Sequence, residues 1–369
     1  ISPGIPLDSP FVAVVDDAKI PILGEIELAY QCGLGKLAAI TGTNGKTTTT
    51  ALTGEILKAR YEETFVVGNI VLEMTEDSVT VAEVSSFQLE TIMDFRPNVS
   101  AILNITPDHL NRHHTMEAYI EAKEQIAKNQ TEEDVCVLNY EDDVTRKFGE
   151  RVKAQVIYFS SRRRLEKGIY LEDGNIIYCR ENPEKVCHVD ELKLLGMHNY
   201  ENVMAAVAMA AAYHVPMEII RKTIREFTAV EHRIEFVAEK NGVAYYNDSK
   251  GTNPDAAIKG IQAMNRPTFL IGGGYDKDSS YDEWIQSFDG KVKKLVLLGA
   301  TKEKINETAK RLGFTDTILA DTFEEAVNIC VEQAEPGDAV LLSPACASWG
   351  MFKNYEERGD KFKELVNQL

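Results

Sequence analysis

The chain has 369 residues, 44% hydrophobic and 27% charged. That composition excludes dominant disorder and leaves room for two or three domains of roughly 100–200 residues each. Its 40 Lys and Arg stand against 58 Asp and Glu, a formal charge of −18. So acidic a surface argues against nucleic-acid binding and leaves any anionic ligand to local cations. The longest nearly uncharged apolar run, Val203 to Tyr213, falls short of the ~20 residues that cross a bilayer.

Six cysteines (Cys32, Cys136, Cys179, Cys187, Cys330 and Cys346) are scattered without a CxxC pair. This points away from a zinc ribbon or disulfide framework and towards a reducing, cytoplasmic compartment. No signal-peptide pattern precedes the first motif, and the chain opens Ile1-Ser2-Pro3-Gly4 with no initiator Met, so it reads as a fragment.

Pro3, Pro6, Pro10 and Pro21 mark the first 24 residues as turns and a short helix. A helical pattern follows at Glu25–Gln31. The apolar run Lys36–Ile40 leads into Thr41-Gly42-Thr43-Asn44-Gly45-Lys46-Thr47-Thr48, and a helix continues through Thr50–Lys58. Val79–Val84, Val99–Ile105 and Val135–Asn139 read as further strands, with a helix over Met116–Asn129. Strands alternating with helices predict an α/β fold with a parallel sheet, whose ligands sit beyond the carboxyl ends of the strands. Lys46, Glu83 and His109 fall at three such ends.

Residues 155–195 read as a small antiparallel excursion, with Arg162-Arg163-Arg164 as a solvated loop. Gly196 to Asn202 opens an alanine-rich helix reaching Tyr213. From Val230 the α/β pattern restarts. Strands are expected at Val243–Asn247, Thr268–Ile271, Lys294–Leu298, Thr317–Leu319 and Ala339–Leu342, and helices at Asp255–Met264, Lys302–Arg311 and Phe323–Gln333. The expected domains are therefore 1–24 as a leading segment, 25–229 as a central P-loop ATPase-type domain, and 230–369 as a Rossmann-like doubly wound domain.

Gly42-Thr43-Asn44-Gly45-Lys46-Thr47 is a shortened phosphate-binding loop, with Ile40 where the general pattern has its first glycine. Its backbone N–H groups and helix N-terminus would face phosphate oxygens, with Lys46 on the terminal phosphates and the Thr47 hydroxyl on Mg²⁺. Glu83 reads either as a metal carboxylate or as an ordinary strand end. His109 reads either as a second-metal ligand or as structural. His113 and His114 read as surface or outer residues, and Lys123 as a solvated helix lysine. Cys346, flanked by small residues and without an evident His partner, reads as buried packing. Arg233, Lys250 and Lys277 lie in clusters of the second half that supply local cations.

Together, Thr41–Thr48, Glu83-Val84-Ser85-Ser86-Phe87-Gln88-Leu89, His198-Asn199-Tyr200-Glu201-Asn202, His232-Arg233, Asn247-Asp248-Ser249-Lys250 and Leu342–Ser348 resemble the Mur ligases. The resemblance spans essentially the whole chain. The Ser-Ser-Phe-Gln-Leu and Ser-Pro-Ala-Cys-Ala-Ser segments point within that family to the member that adds D-glutamate to UDP-N-acetylmuramoyl-L-alanine. Of the family's first, UDP-binding domain only the tail Ser2-Pro3-Gly4-Ile5-Pro6 is expected here. Two departures stand out: the family usually carries more residues after Gly68-Asn69-Ile70-Val71, and Asn111 stands where relatives often have Asp.

The resemblance implies roles residue by residue. ATP would be held by Gly42, Thr43, Asn44, Gly45, Lys46, Thr47 and Thr48, its adenine by Asn199 and Asn202, its ribose by Asp248, and its γ-phosphate by Arg233. Two Mg²⁺ ions would be held by Thr47, Glu83, His109 and Lys123, the last as a carbamate formed with CO₂. Asn69 and Ser85 would contact the nucleotide-linked substrate. Lys250, Thr252, Lys277, Ser348 and Tyr355 would surround D-glutamate. A monomer is expected, with no nucleic-acid partner. Three other readings stay open: a folylpolyglutamate synthase-like ligase, a non-catalytic nucleotide-binding module, and a P-loop kinase.

Overall fold

The computed structural model describes residues 1–67, 75–228, 230–276 and 279–369, with backbone alone at Asn111. The chain forms two compact units, one of Ile1–Leu192 with Met197–Phe227, the other of Lys193–Gly196 with Thr228–Leu369.

The first unit runs α1 (Pro10–Asp17), α2 (Glu25–Cys32), β1 (Lys36–Thr41), α3 (Lys46–Lys58), β2 (Thr64–Val67), β3 (Val79–Glu83), α4 (Ser86–Leu89), β4 (Val99–Ile102), α5 (Leu110–His113), α6 (Met116–Glu124), β5 (Val135–Asn139), α7 (Asp143–Gly149), β6 (Gln155–Ser160), β7 (Gly168–Glu172), β8 (Asn175–Cys179), β9 (Pro183–His188), α8 (Met197–Ala212) and α9 (Met217–Glu226). Its sheet has the order β2-β3-β1-β4-β5-β6-β7-β8-β9. The strands from β2 through β7 are parallel, and β7, β8 and β9 are antiparallel. Strands β3 and β4 read as nearly unbroken apolar runs because helices cover both faces of a parallel sheet. The alanines of α8 are buried along most of its length, and small side chains let it lie close against the sheet. In α9, Ile220 and Ile224 are the buried residues, one turn apart on a helix otherwise rich in charge.

The second unit runs β10 (Glu235–Lys240), β11 (Val243–Asn247), α10 (Pro254–Ala263), β12 (Thr268–Gly272), α11 (Asp282–Gln286), β13 (Val292–Leu297), α12 (Lys302–Arg311), β14 (Thr317–Leu319), α13 (Phe323–Gln333), β15 (Ala339–Leu342) and α14 (Tyr355–Asn367). Its sheet order is β10-β11-β15-β12-β13-β14, parallel apart from the β10–β11 hairpin. Alternate residues of each strand feed two cores, as the period of two demands. Leu270, Leu295 and Leu341 pack with Trp284 on one face. Phe269, Val296 and Val340 pack with Phe323 and Phe362 on the other.

These topologies fix where ligands go. In the first unit the chain leaves β1 towards β2 and β3 on one side, then crosses to β4 on the other. The switch point therefore flanks β1, above which the glycine loop sits. In the second unit β15 inserts between β11 and β12. The segments after those three strands, starting at Asp248, Gly273 and Ser343, thus leave the same edge.

Several expectations need correction. The 155–195 region is not wholly an antiparallel excursion: β6 extends the parallel sheet, and β7 pairs parallel to it before the antiparallel turn begins. The strand expected over Val99–Ile105 ends at Ile102, because the following residues leave the sheet to brace the glycine loop. Of the two readings of His113, the surface one is excluded: the residue is buried, held by Ser86 and Phe87. Lys123 is not solvated but only 2% exposed.

Candidate active site

The glycine loop adopts a conformation its two glycines permit. Gly42 has φ 150° and Gly45 φ 87°, and a Cβ at Gly45 would lie 2.2 Å from Asn202 Oδ1. A side chain there would be both strained and blocked. The loop is braced by the segment after β4. The Thr43 N–H donates to the Asn104 carbonyl at 2.9 Å. The Asn44 N–H donates to Asn104 Oδ1 at 2.8 Å, and Asn104 Nδ2 donates back to the Asn44 carbonyl at 3.1 Å. Thr47 follows Lys46 at the start of α3, and Thr48 is buried within that helix.

Two amines converge on one carbonyl oxygen. Lys46 Nζ donates to Gly42 O at 3.0 Å and to Thr43 O at 3.1 Å, while Lys123 Nζ donates to Gly42 O at 2.8 Å. Burial, seconded by the nearby Lys46 charge, pulls the Lys123 pKa down to about 7. Its amine is therefore substantially neutral near physiological pH, the form that can react with CO₂. The Tyr119 ring lies 4.7 Å from Lys123 Nζ, and the Tyr119 hydroxyl is 3.1 Å from Thr43 Oγ1.

Glu83 ends β3 opposite Ile40 of β1, beside the loop. His109 caps α5 in a left-handed conformation, half-exposed, with its ring edge-on to Phe87 at 4.9 Å. Ser85 caps α4, its Oγ accepting from the Gln88 N–H and donating to Gln88 Oε1. On α8, Asn202 Nδ2 donates to Asn199 Oδ1 at 3.2 Å, which fixes the amide facing Gly45.

The second unit gathers a separate cluster. Asp248 is buried, and Ser343 Oγ donates to its Oδ2 at 2.6 Å. Burial raises its pKa to about 7 despite that bond and the nearby Arg233 and Arg358. The Lys250 N–H donates to the His232 carbonyl at 2.9 Å, and Lys250 Nζ lies 5.6 Å from the Tyr355 ring centre. The Thr252 N–H donates to the Lys250 carbonyl at 2.8 Å. Ser348 is buried after β15, its carbonyl accepting from the Phe352 N–H at 3.0 Å. Arg233 sits between His232 and Ile234, both with positive φ (63° and 48°). A left-handed β-branched residue is rare, and here Ile234 is anchored in the core. Cys346 is buried, and its thiol, within 3.1 Å of the Tyr281 hydroxyl, is pushed up by burial. It is packing, not a nucleophile.

Asn69 and Lys277 lie outside the described residues. Reading the sequence missed Asn104, Tyr119 and Arg358. Asn104 hid inside an apparent strand. Tyr119 stands one helical turn before Lys123, a spacing that would have paired them. Arg358 carries no local signal, since its partners are more than 100 residues away in Ser249 and 12 away in Cys346.

Comparison with known proteins shows the family. Residues 40–210 match the Mur ligase middle domain, and residues 232–346 match the Mur ligase glutamate ligase domain. The UDP-N-acetylmuramoylalanine–D-glutamate ligase of Lachnoclostridium phytofermentans is 61% identical over all of this chain and 83% of its own length. Among solved structures, the UDP-N-acetylmuramate–alanine ligase of Thermotoga maritima superposes with a TM-score of 0.69 at 20% identity, over 100% of this chain and 84% of that one. A MurF ligase of Thermotoga maritima in complex with ADP gives 0.64 at 19%, over 93% and 83%. A nucleotide-type phosphate loop on a parallel sheet, followed by a glutamate ligase domain, defines an ATP-dependent ligase. The chain belongs to the Mur ligase family.

Proposed function

We propose that the protein joins D-glutamate to UDP-N-acetylmuramoyl-L-alanine through an acyl phosphate, a step of peptidoglycan precursor synthesis. The 61% identity to a D-glutamate ligase across the whole chain supports the substrate pair. The convergence of Lys46 and Lys123 on the Gly42 carbonyl supports the chemistry, because it sets two amines at the phosphate loop. In this reading residues 25–229 bind ATP and residues 230–369 the amino acid, with residues 1–24 leading in.

The substrate carboxylate attacks the γ-phosphorus, the bond to ADP breaks, and an acyl phosphate results. The amine of D-glutamate then attacks the acyl carbon, phosphate leaves and the amide forms. Lys46 and the loop N–H groups counter the charge of the transferring phosphoryl group, with Arg233 proposed for the same charge. Gly42 to Thr48 hold the phosphates, Asn199 and Asn202 the adenine, and Asp248 the ribose. Lys250, Thr252, Lys277, Ser348 and Tyr355 hold D-glutamate, while Asn69 and Ser85 meet the nucleotide-linked substrate.

The donor set fits Mg²⁺: the Thr47 hydroxyl, the Glu83 carboxylate, His109, and a Lys123 whose depressed pKa favours a carbamate. Among the described residues no group of three or more His, Cys, Asp or Glu could hold a metal. Mg²⁺ is commonly held through one or two carboxylates, phosphates and water. When bound, Mg²⁺ would neutralise phosphate charge. Among the described residues no helix is long and apolar enough to cross a membrane. All six cysteines are free. A cytoplasmic, monomeric enzyme is proposed.

The test is the product. Mass spectrometry of a reaction with ATP, Mg²⁺, UDP-N-acetylmuramoyl-L-alanine and D-glutamate should show the amide. ATP binding with no amide would favour a regulatory module, and phosphoryl product without amino-acid dependence would favour a kinase.

A further inference from the structure

We propose that Arg358 is the positioning residue of the amino-acid site, its guanidinium holding the segments of Lys250, Ser348 and Tyr355 in one arrangement. The inference rests on the D-glutamate reading above and adds a residue that contacts none of the reacting atoms.

Arg358 lies on α14 and is 1% exposed. Among the described residues, its three hydrogen-bond acceptors are all neutral oxygens. Nε donates to Ser249 Oγ at 2.9 Å, Nη2 to Ser249 O at 2.8 Å, and Nη1 to Cys346 O at 3.1 Å. Ser249 Oγ in turn donates to the Tyr355 carbonyl at 2.8 Å. One planar group thus ties the loop after β11, the loop after β15 and the first turn of α14. Lys250 follows Ser249 directly, Ser348 is two residues beyond Cys346, and Tyr355 opens α14.

A buried cation whose hydrogen bonds go to neutral oxygens, with Asp248 as its nearby carboxylate, is an expensive way to brace a fold, since apolar packing often does as well. Burial brings its pKa down only to about 10, so the charge persists at neutral pH. Two consequences follow for a chain of charge −18. The fork fixes the relative placement of three separate ligand-bearing segments, which a lysine's single ammonium cannot do. It also keeps positive potential beneath a site that must accept a dicarboxylate.

The experiment compares KM for D-glutamate, ATP and UDP-N-acetylmuramoyl-L-alanine in the full-length protein, Arg358→Lys and Ser249→Ala. Arg358→Lys keeps the charge and loses the fork, so KM for D-glutamate should rise about tenfold, while the other two stay within about twofold and kcat at saturation falls less. Ser249→Ala removes only the hydroxyl hub and should raise the same KM about threefold. It decides the question if Arg358→Lys does not fold. An unchanged KM for D-glutamate in the folded variants, or an equal rise in all three constants, overturns the proposal. Absence of D-glutamate dependence in the unmodified protein instead overturns the functional reading beneath it.

Discussion

The two units build their sites by different means. In the first, the glycine loop is a contiguous stretch whose chemistry is mostly backbone, and its braces, Asn104 and Tyr119, approach from nearby strand ends and helices. In the second, Asp248, Lys250, Ser348 and Tyr355 come from three separated segments stitched by side chains, above all Arg358. A phosphate can be held by any loop that turns its N–H groups outward. An amino acid of one hand needs several side chains fixed against each other, so the pocket proposed for it in the second unit would depend on distant supports.

Substitutions that break this contrast should differ in kind. Lys46→Ala should have the largest effect, lowering ATP turnover by about 10³-fold or more, because it removes the charge meant for the phosphates together with two hydrogen bonds to the loop carbonyls of Gly42 and Thr43. Near-normal turnover would contradict the phosphate-loop assignment. Gly45→Ala should damage the same loop by geometry. Its φ of 87° and the 2.2 Å approach to Asn202 Oδ1 predict about 2 kcal/mol of strain, read as a lower melting temperature and a higher KM for ATP.

Asp248 tests the second unit through pH. Its pKa is raised from 3.8 to about 7, so the folded chain binds this proton more tightly than the unfolded one. Stability from this group is therefore greatest below about pH 4 and is lost as pH rises through about 7. Chemical denaturation of Asp248→Asn should show a flatter pH profile than the unmodified protein over that window, and identical profiles would contradict the buried-carboxylate account. The smallest effect is expected at Lys58→Ala. Its exposed pair with Glu55 spans 2.9 Å on α3, and its loss should change unfolding free energy by no more than about 0.5 kcal/mol.

Local chemistry was legible in the sequence, and long-range support was not. The glycine loop, Glu83 at the end of β3 and the strands β11, β12 and β15 could be read because their signals are periodic or contiguous. Strand β10 escaped because it is a half-exposed edge strand with charged residues at both ends. Helix α14 escaped because only part of one face is apolar, and α9 because its few isoleucines are spaced among charges. The family resemblance, not helical spacing, marked Lys123. Its burial and depressed pKa arise from packing with Tyr119, one helical turn away, and with Gly42, a contact 81 residues distant that no local pattern announces.

The measurement that tests the central claim most directly is phosphate release from ATP by the full-length protein with Mg²⁺, UDP-N-acetylmuramoyl-L-alanine and each enantiomer of glutamate. Release that requires D-glutamate and is not supported by L-glutamate is the predicted result. A folded, ATP-binding protein that releases no phosphate in response to D-glutamate would contradict the account.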